Sequence, residues 1–366
     1  MHDGQAIRSL TSLRFFAALW VVLFHYWPNL TGTEAMPGLV AKGYLGVELF
    51  FILSGFILCH VYRTGLEEGR FRYGGFLWAR LARVYPLHIA TLLAMGAMAL
   101  VAGAAGFRVD PNILSWRSLP AQLTLTQAWG LAPVAGWNHP SWSISAEWFA
   151  YLTFPAFAWS ALRLKNRPWV AVSAAIALIL GLYAIFTEMA GFPLTRATIA
   201  WGALRIVPCF AYGCALHALW RARPATHTGF SIAGTLISGA LVMISAALGA
   251  PDALIVIGLG STILFLAKFA QTGSGILAQR PLVYLGEISY SIYMICIPWK
   301  IVFVNVMTRL FQLTGDHLTL GMWLVFVVSL IPLAALSYHL VEKPAREAMK
   351  LMAETRGRGR PMAAHA

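Results

Sequence analysis

Apolar runs of about twenty residues recur from one end of this 366-residue chain to the other, with no long polar interval between them. A hydrocarbon core about 30 Å thick is crossed by about 20 such residues in a helix. The runs predict ten helices, near 13–30, 43–62, 84–107, 142–162, 169–190, 198–220, 229–250, 252–270, 284–308 and 320–342. Composition agrees: 59% of residues are hydrophobic and 11% charged, against about 25% charged in an average soluble domain, and mean hydropathy is +0.68. The expected fold is all-α and polytopic, one membrane domain over 1–346 followed by a basic, disordered tail over 347–366 drawn to anionic headgroups. The first run lacks a small-residue cleavage site and leads into further spans, so it reads as a retained helix.

The net charge of +13 does not point to nucleic acid, because the basic residues sit in short loops on one side. Arg8, Arg14, Arg63, Arg70, Arg72, Arg80, Arg83, Arg163, Lys165, Arg167, Arg221, Arg223, Lys268, Arg280 and the six basic residues after Glu342 make 20 of the 27. Lys42, Arg108, Arg117, Arg196 and Arg309 lie opposite, and Arg205 and Lys300 fall inside spans. By the positive-inside rule both termini are expected in the cytoplasm. The four cysteines lie in apolar runs and read as packing residues. No metal-binding spacing occurs.

Ionisable residues inside spans should face protein or water and find partners. Arg14 and His25 stand eleven residues apart on the first helix, about three turns and 16 Å along one face. Counting depth from the span ends places Glu48 and Glu147 at the level of His25. Two readings stand: an ion-paired packing cluster, or a histidine base oriented by a carboxylate. At the other level Arg80 and Arg83 lie one turn apart at the start of the third span and join Arg14. They read either as positive-inside charge or as guanidinium forks for phosphate oxygens. A donor with a phosphorylated head and a long thin arm would fit, and coenzyme A has that shape.

These residues form an ordered set of motifs: Arg14 to His25, "GVELFFILSGFIL" from Gly46, Arg80-x-x-Arg83 with Tyr85-Pro86, "PSWSISAEW" from Pro140, "LRIVPCFAYG" from Leu204, "EISYSIYM" from Glu287 and "VEKP" from Val341. The set resembles acyltransferase family 3, integral-membrane O-acyltransferases that modify bacterial surface sugars and some small metabolites. The resemblance covers about 8–346. It implies acyl-CoA contacts for Arg14, Arg80 and Arg83, a role in acyl transfer for His25, importance for Glu147, and a less defined part for Glu48. The chain departs from the family in two places: Cys296 stands where a histidine is frequent after "YSIY", and His139 where glycine is frequent before "PSW".

The resulting expectation is an O-acyltransferase of a bacterial inner membrane. It would move an acyl group, acetyl by resemblance, from cytoplasmic acyl-CoA to a hydroxyl of an external glycan or lipid-linked saccharide. His25 would be the base, oriented by Glu48 or Glu147. Acyl-CoA would be a co-substrate, with no permanently bound cofactor or metal. Trp142, Arg205 and Lys300 are the candidate acceptor contacts, with interfacial anchoring (Trp142) or balancing of Glu48 and Glu147 (Arg205, Lys300) as the alternatives. The competing functions are acylation of a small natural product such as a macrolide, and proton-coupled transport through His25, Glu48 and Glu147.

Overall fold

The computed structural model describes residues 2–32, 35–106, 113–223, 225, 227–272, 275–313 and 315–358. Arg108 and Arg360, part of the charge bias above, lie outside the described residues. Within them the helices are α1 (His2–Tyr26), α2 (Gly38–Ala41), α3 (Gly46–Glu67), α4 (Tyr73–Ala104), α5 (Leu119–Leu123), α6 (Trp142–Leu152), α7 (Phe154–Arg163), α8 (Pro168–Ala190), α9 (Gly202–Ala222), α10 (Thr228–Ala247), α11 (Asp252–Thr272), α12 (Arg280–Glu287), α13 (Ser289–Leu310), α14 (Leu320–Ser337) and α15 (Lys343–Arg358).

Nine helical segments among the described residues are long and apolar enough to cross a membrane. The tenth expected span, 142–162, is instead the two short helices α6 and α7. Pro155 has no amide proton to continue α6 and falls in the first turn of α7, where that loss costs nothing. Helix α4 begins at Tyr73, a full three turns before the expected 84, so Arg80 and Arg83 lie inside it. Long arginine stems can cover apolar surface while their heads reach polar space. The expected disordered tail begins as helix through Arg358. Its Ala, Glu, Lys, Leu and Met content favours helix, and Trp78 Nε1 on α4 donates to Met349 O at 2.8 Å.

Helix α1 is the spine of the bundle. Ala17 and Val21 join the larger core formed with α3, α8, α9 and α11. Phe15, Ala18, Val22 and Tyr26 join a second core with α13 and α14. An apolar helix buried on two faces has little room for charge, and Arg14 and His25 occupy what is left.

Helices α3 and α9 approach most closely through glycine. A side chain at Gly55 would collide with Phe210 O, and one at Gly213 with Ile52 O. Such contacts are how membrane helices gain packing without a hydrophobic driving force between them.

Residues 113–141, ahead of α6, fold back into the protein, and polar side chains there and on the flanking helices make this workable. His88 Nε2 donates to Gln122 O at 2.8 Å, Ser141 Oγ to Gln122 Oε1 at 3.1 Å, Gln127 Nε2 to Ser141 O at 3.0 Å and Ser145 Oγ to Leu125 O at 2.7 Å. Asn138 Nδ2 donates to Met294 O at 2.9 Å, and Tyr293 hydroxyl to Pro140 O at 3.0 Å. Irregular backbone at depth requires such internal partners. Helix α6 therefore starts inside the bundle, with Trp142 against Phe51 in the second turn of α3.

Candidate functional site

One cavity gathers charge from three helices and a hydroxyl from a fourth. Arg14 (α1), Ser54 (α3), Arg80 and Arg83 (α4), Glu147 and Tyr151 (α6) line it with Phe50, Tyr290 and Tyr293, enclosing about 800 Å³ with its open mouth. Ser54 Oγ donates to Glu147 Oε1 at 2.9 Å. Tyr151 lines the same space beside this carboxylate. Neither Arg14 nor Arg80 is ion-paired to a carboxylate among the described residues. Arg80 Nε is buried without a hydrogen-bond partner. Both guanidiniums lie by aromatic rings, Arg14 5.8 Å from Phe50 and Arg80 5.9 Å from Tyr62. Such faces soften the cost of a desolvated cation but do not neutralise it.

Arg83 is different, because Glu342 holds it. Its Nη1 lies 2.9 Å from Glu342 Oε1, and Ser291 Oγ donates to Glu342 Oε2 at 2.9 Å. Glu342 is 1% exposed. Glu342 stands in "VEKP" and Ser291 in "EISYSIYM", and the sequence assigns neither a role, because two motifs some fifty residues apart meeting at one arginine is invisible to spacing.

The shared outer level of His25, Glu48 and Glu147 is corrected. Glu147 lies beside Ser54, in the cavity of Arg14 and Arg80, because the folded-in connection carries the start of α6 inward. Glu48 meets Arg205: Nε to Oε1 2.5 Å and Nη2 to Oε2 2.9 Å, with the residues 0% and 2% exposed. Arg205 Nη1 also donates to Ala197 O at 2.9 Å. The balancing of Glu48 by Arg205 is what the structure has, and an acceptor contact by Arg205 is overturned by its burial. Trp142 lies 4.6 Å from the Arg205 guanidinium and is 5% exposed, so it covers this ion pair and is not an interfacial anchor.

His25 does not line the cavity, and no carboxylate among the described residues is ion-paired to it. Neither Glu48 nor Glu147 is thus in place to orient it. Its ring packs edge-on against Phe24 at 5.2 Å. Its titratable neighbours are His139 and Lys300. Lys300 Nζ donates to His25 O at 2.9 Å, and Tyr26 hydroxyl to Cys296 O at 2.7 Å, strapping this end of α1 to α13. The two ionisable ends of α1 therefore belong to two environments: a cationic cavity with one carboxylate, and a two-histidine cluster beside a lysine. The first suits a polyanion. The second offers an imidazole that can accept a proton.

A sequence profile described as an acyltransferase domain matches residues 7–341. The chain belongs to acyltransferase family 3. It is 34% identical over 181 residues to acyltransferase MdmB of Streptomyces mycarofaciens, covering 47% of this chain and 44% of that protein. It is 32% identical over 185 residues to protein 2 in the picA locus of Rhizobium radiobacter, covering 46% and 92%. Peptidoglycan O-acetyltransferase OatA of Listeria monocytogenes matches at 23% identity over 381 residues, 94% of this chain and 57% of that protein. The chain thus spans about half the length of the two relatives named as acyltransferases. No solved structure matches.

Proposed function

We propose that this membrane acyltransferase moves an acyl group, acetyl by its likeness to OatA, from acyl-CoA to a hydroxyl of an external glycan or lipid-linked saccharide. The carrying observation is the pair Arg14 and Arg80: two guanidiniums turned into one cavity without a carboxylate of their own. Guanidinium forks match phosphate oxygens through paired, charge-assisted hydrogen bonds, so the nucleotide head of the donor belongs there. Arg83 lines the same space, and Glu147 with Ser54 sets the local charge balance.

The thioester arm then extends along α1 toward His25, about 16 Å away. The acceptor oxygen attacks the thioester carbonyl as His25 takes the hydroxyl proton. The new C–O bond forms, the C–S bond breaks and the CoA thiolate leaves. Lys300 fixes the backbone at His25, and His139 is a second titratable neighbour. The positive-inside bias supports a cytoplasmic side for the arginine cavity, in a bacterial inner membrane, where acyl-CoA is made.

A second reading keeps the chemistry and replaces the glycan by a small natural product such as a macrolide, since the family resemblance also implies small-metabolite acceptors. Transport by a proton relay is disfavoured, because Glu48 is locked to Arg205 and apart from His25. The test is mass spectrometry of surface glycans and culture extracts from cells with and without the chain. An acyl mass gained on a glycan supports the first reading, on a small product the second, and on neither contradicts the proposal.

A further inference from the structure

We propose that Glu342 is a positioning residue for the donor site: it holds Arg83 so that the rest of the guanidinium faces the cavity. This rests on the donor reading above. The carboxylate is itself fixed at two points, Oε1 by Arg83 Nη1 and Oε2 by Ser291 Oγ, each at 2.9 Å. Glu342 does not line the cavity, whereas Arg83 does. An arginine carries five N–H donors in a planar fork, so fixing one end through Nη1 sets the plane and leaves other donors for an anion.

The backbone supports this assignment. Residues Tyr338–Glu342 form a widened helical turn between α14 and α15, a feature that often marks functional sites. Tyr338 and Glu342 are buried on it while Leu340 is exposed. Helix α15 is in turn tied to α4, which carries Arg83, through Trp78 and Met349. The carboxylate thus comes from an element anchored to the helix it serves. Arg346 Nη1, one turn on, is a second and more distant cation at 3.9 Å from the same oxygen, against 2.9 Å for Arg83.

The test is binding of acetyl-CoA and of acetyl-pantetheine, which lacks the phosphates, to the purified full chain. Glu342→Gln keeps shape and removes charge, and Glu342→Ala removes both. The expected result is a roughly tenfold loss of acetyl-CoA affinity in each, the scale of one charge-assisted hydrogen bond, with acetyl-pantetheine affinity unchanged. The double variant Arg83→Ala/Glu342→Ala should bind acetyl-CoA no worse than Arg83→Ala. If Glu342→Ala fails to accumulate, Glu342→Gln and Ser291→Ala carry the comparison. Unchanged acetyl-CoA affinity in Glu342→Gln, equal losses for both ligands, or effects of Arg83 and Glu342 that multiply would overturn the inference. Should Arg83→Ala itself bind acetyl-CoA normally, the donor-site reading fails first.

Discussion

Ser54 and Gly55 are neighbours on α3 and serve different surfaces: Ser54 donates into the cavity to Glu147, and Gly55 is pressed against the backbone of α9 at Phe210. The small pair "SG" in mid-helix is therefore two functions in two residues. Close helix approach belongs to the glycine. The hydroxyl is free to hold the one carboxylate of the cavity.

The two positions should fail differently. Ser54→Ala takes the hydroxyl from Glu147 in an open cavity, where water can replace it, and should lower acyl transfer about tenfold or more with little change in thermal stability. Gly55→Val forces α3 from α9, and overpacking of this kind costs about 1–3 kcal/mol or more. Thermal unfolding in detergent beside a transfer assay separates them; a stability loss in Ser54→Ala would return that residue to the packing seam.

The Glu48–Arg205 pair should behave as structure. Removing one partner of a buried ion pair costs about 3–5 kcal/mol, whereas replacing both by apolar residues of similar volume is often neutral. Glu48→Ala or Arg205→Ala should accumulate poorly, and Glu48→Leu/Arg205→Met should recover much of the loss. If the double variant folds well yet loses all turnover, the pair is part of the chemistry.

Much of the fold was legible, because lipid demands long apolar helices and leaves a plain trace of them. Depth was less so. Counting residues from span ends assumes that each span starts at the surface, but the polar residues Gln122, Gln127, Asn138 and Ser141 let the preceding connection sink into the bundle. Glu147 went inward with it, away from His25. The arginines of the cavity were visible as charge at one level; Glu342 was not, since it acts on Arg83 from 259 residues away.

His139 offers a pH test. It lies before α6, and burial depresses its affinity for a proton below the ordinary value of 6.5. The unfolded chain therefore binds more protons at this site than the folded one below that pH, so stability from the neutral imidazole is full above about 6.5 and lost as pH falls. The thermal midpoint should drop on acidification, and less steeply in His139→Gln. Parallel curves would remove His139 from the acid response.

Orientation is checked by reporters. A fusion near Lys165 should read cytoplasmic and one near Ser115 external, as the loop charges require. Reversed signals would put the arginine cavity on the wrong side for cytoplasmic acyl-CoA.

For His25 the expected outcome is loss of turnover without loss of donor. A general base contributes about 10²–10⁴-fold, so His25→Ala should lose acyl transfer by that order while binding acetyl-CoA as before. Full turnover in a folded His25→Ala preparation would end its assignment as base.

What Arg14 and Arg80 bind decides whether the cavity is a donor site. Calorimetric titration of acetyl-CoA into purified Arg14→Ala and Arg80→Ala should show losses of about tenfold or more each, the scale of a charge-assisted contact of about 1.5–3 kcal/mol, with intact folding and with His25→Ala binding normally. Acetyl-CoA bound as tightly by both arginine variants as by the parent chain would contradict it.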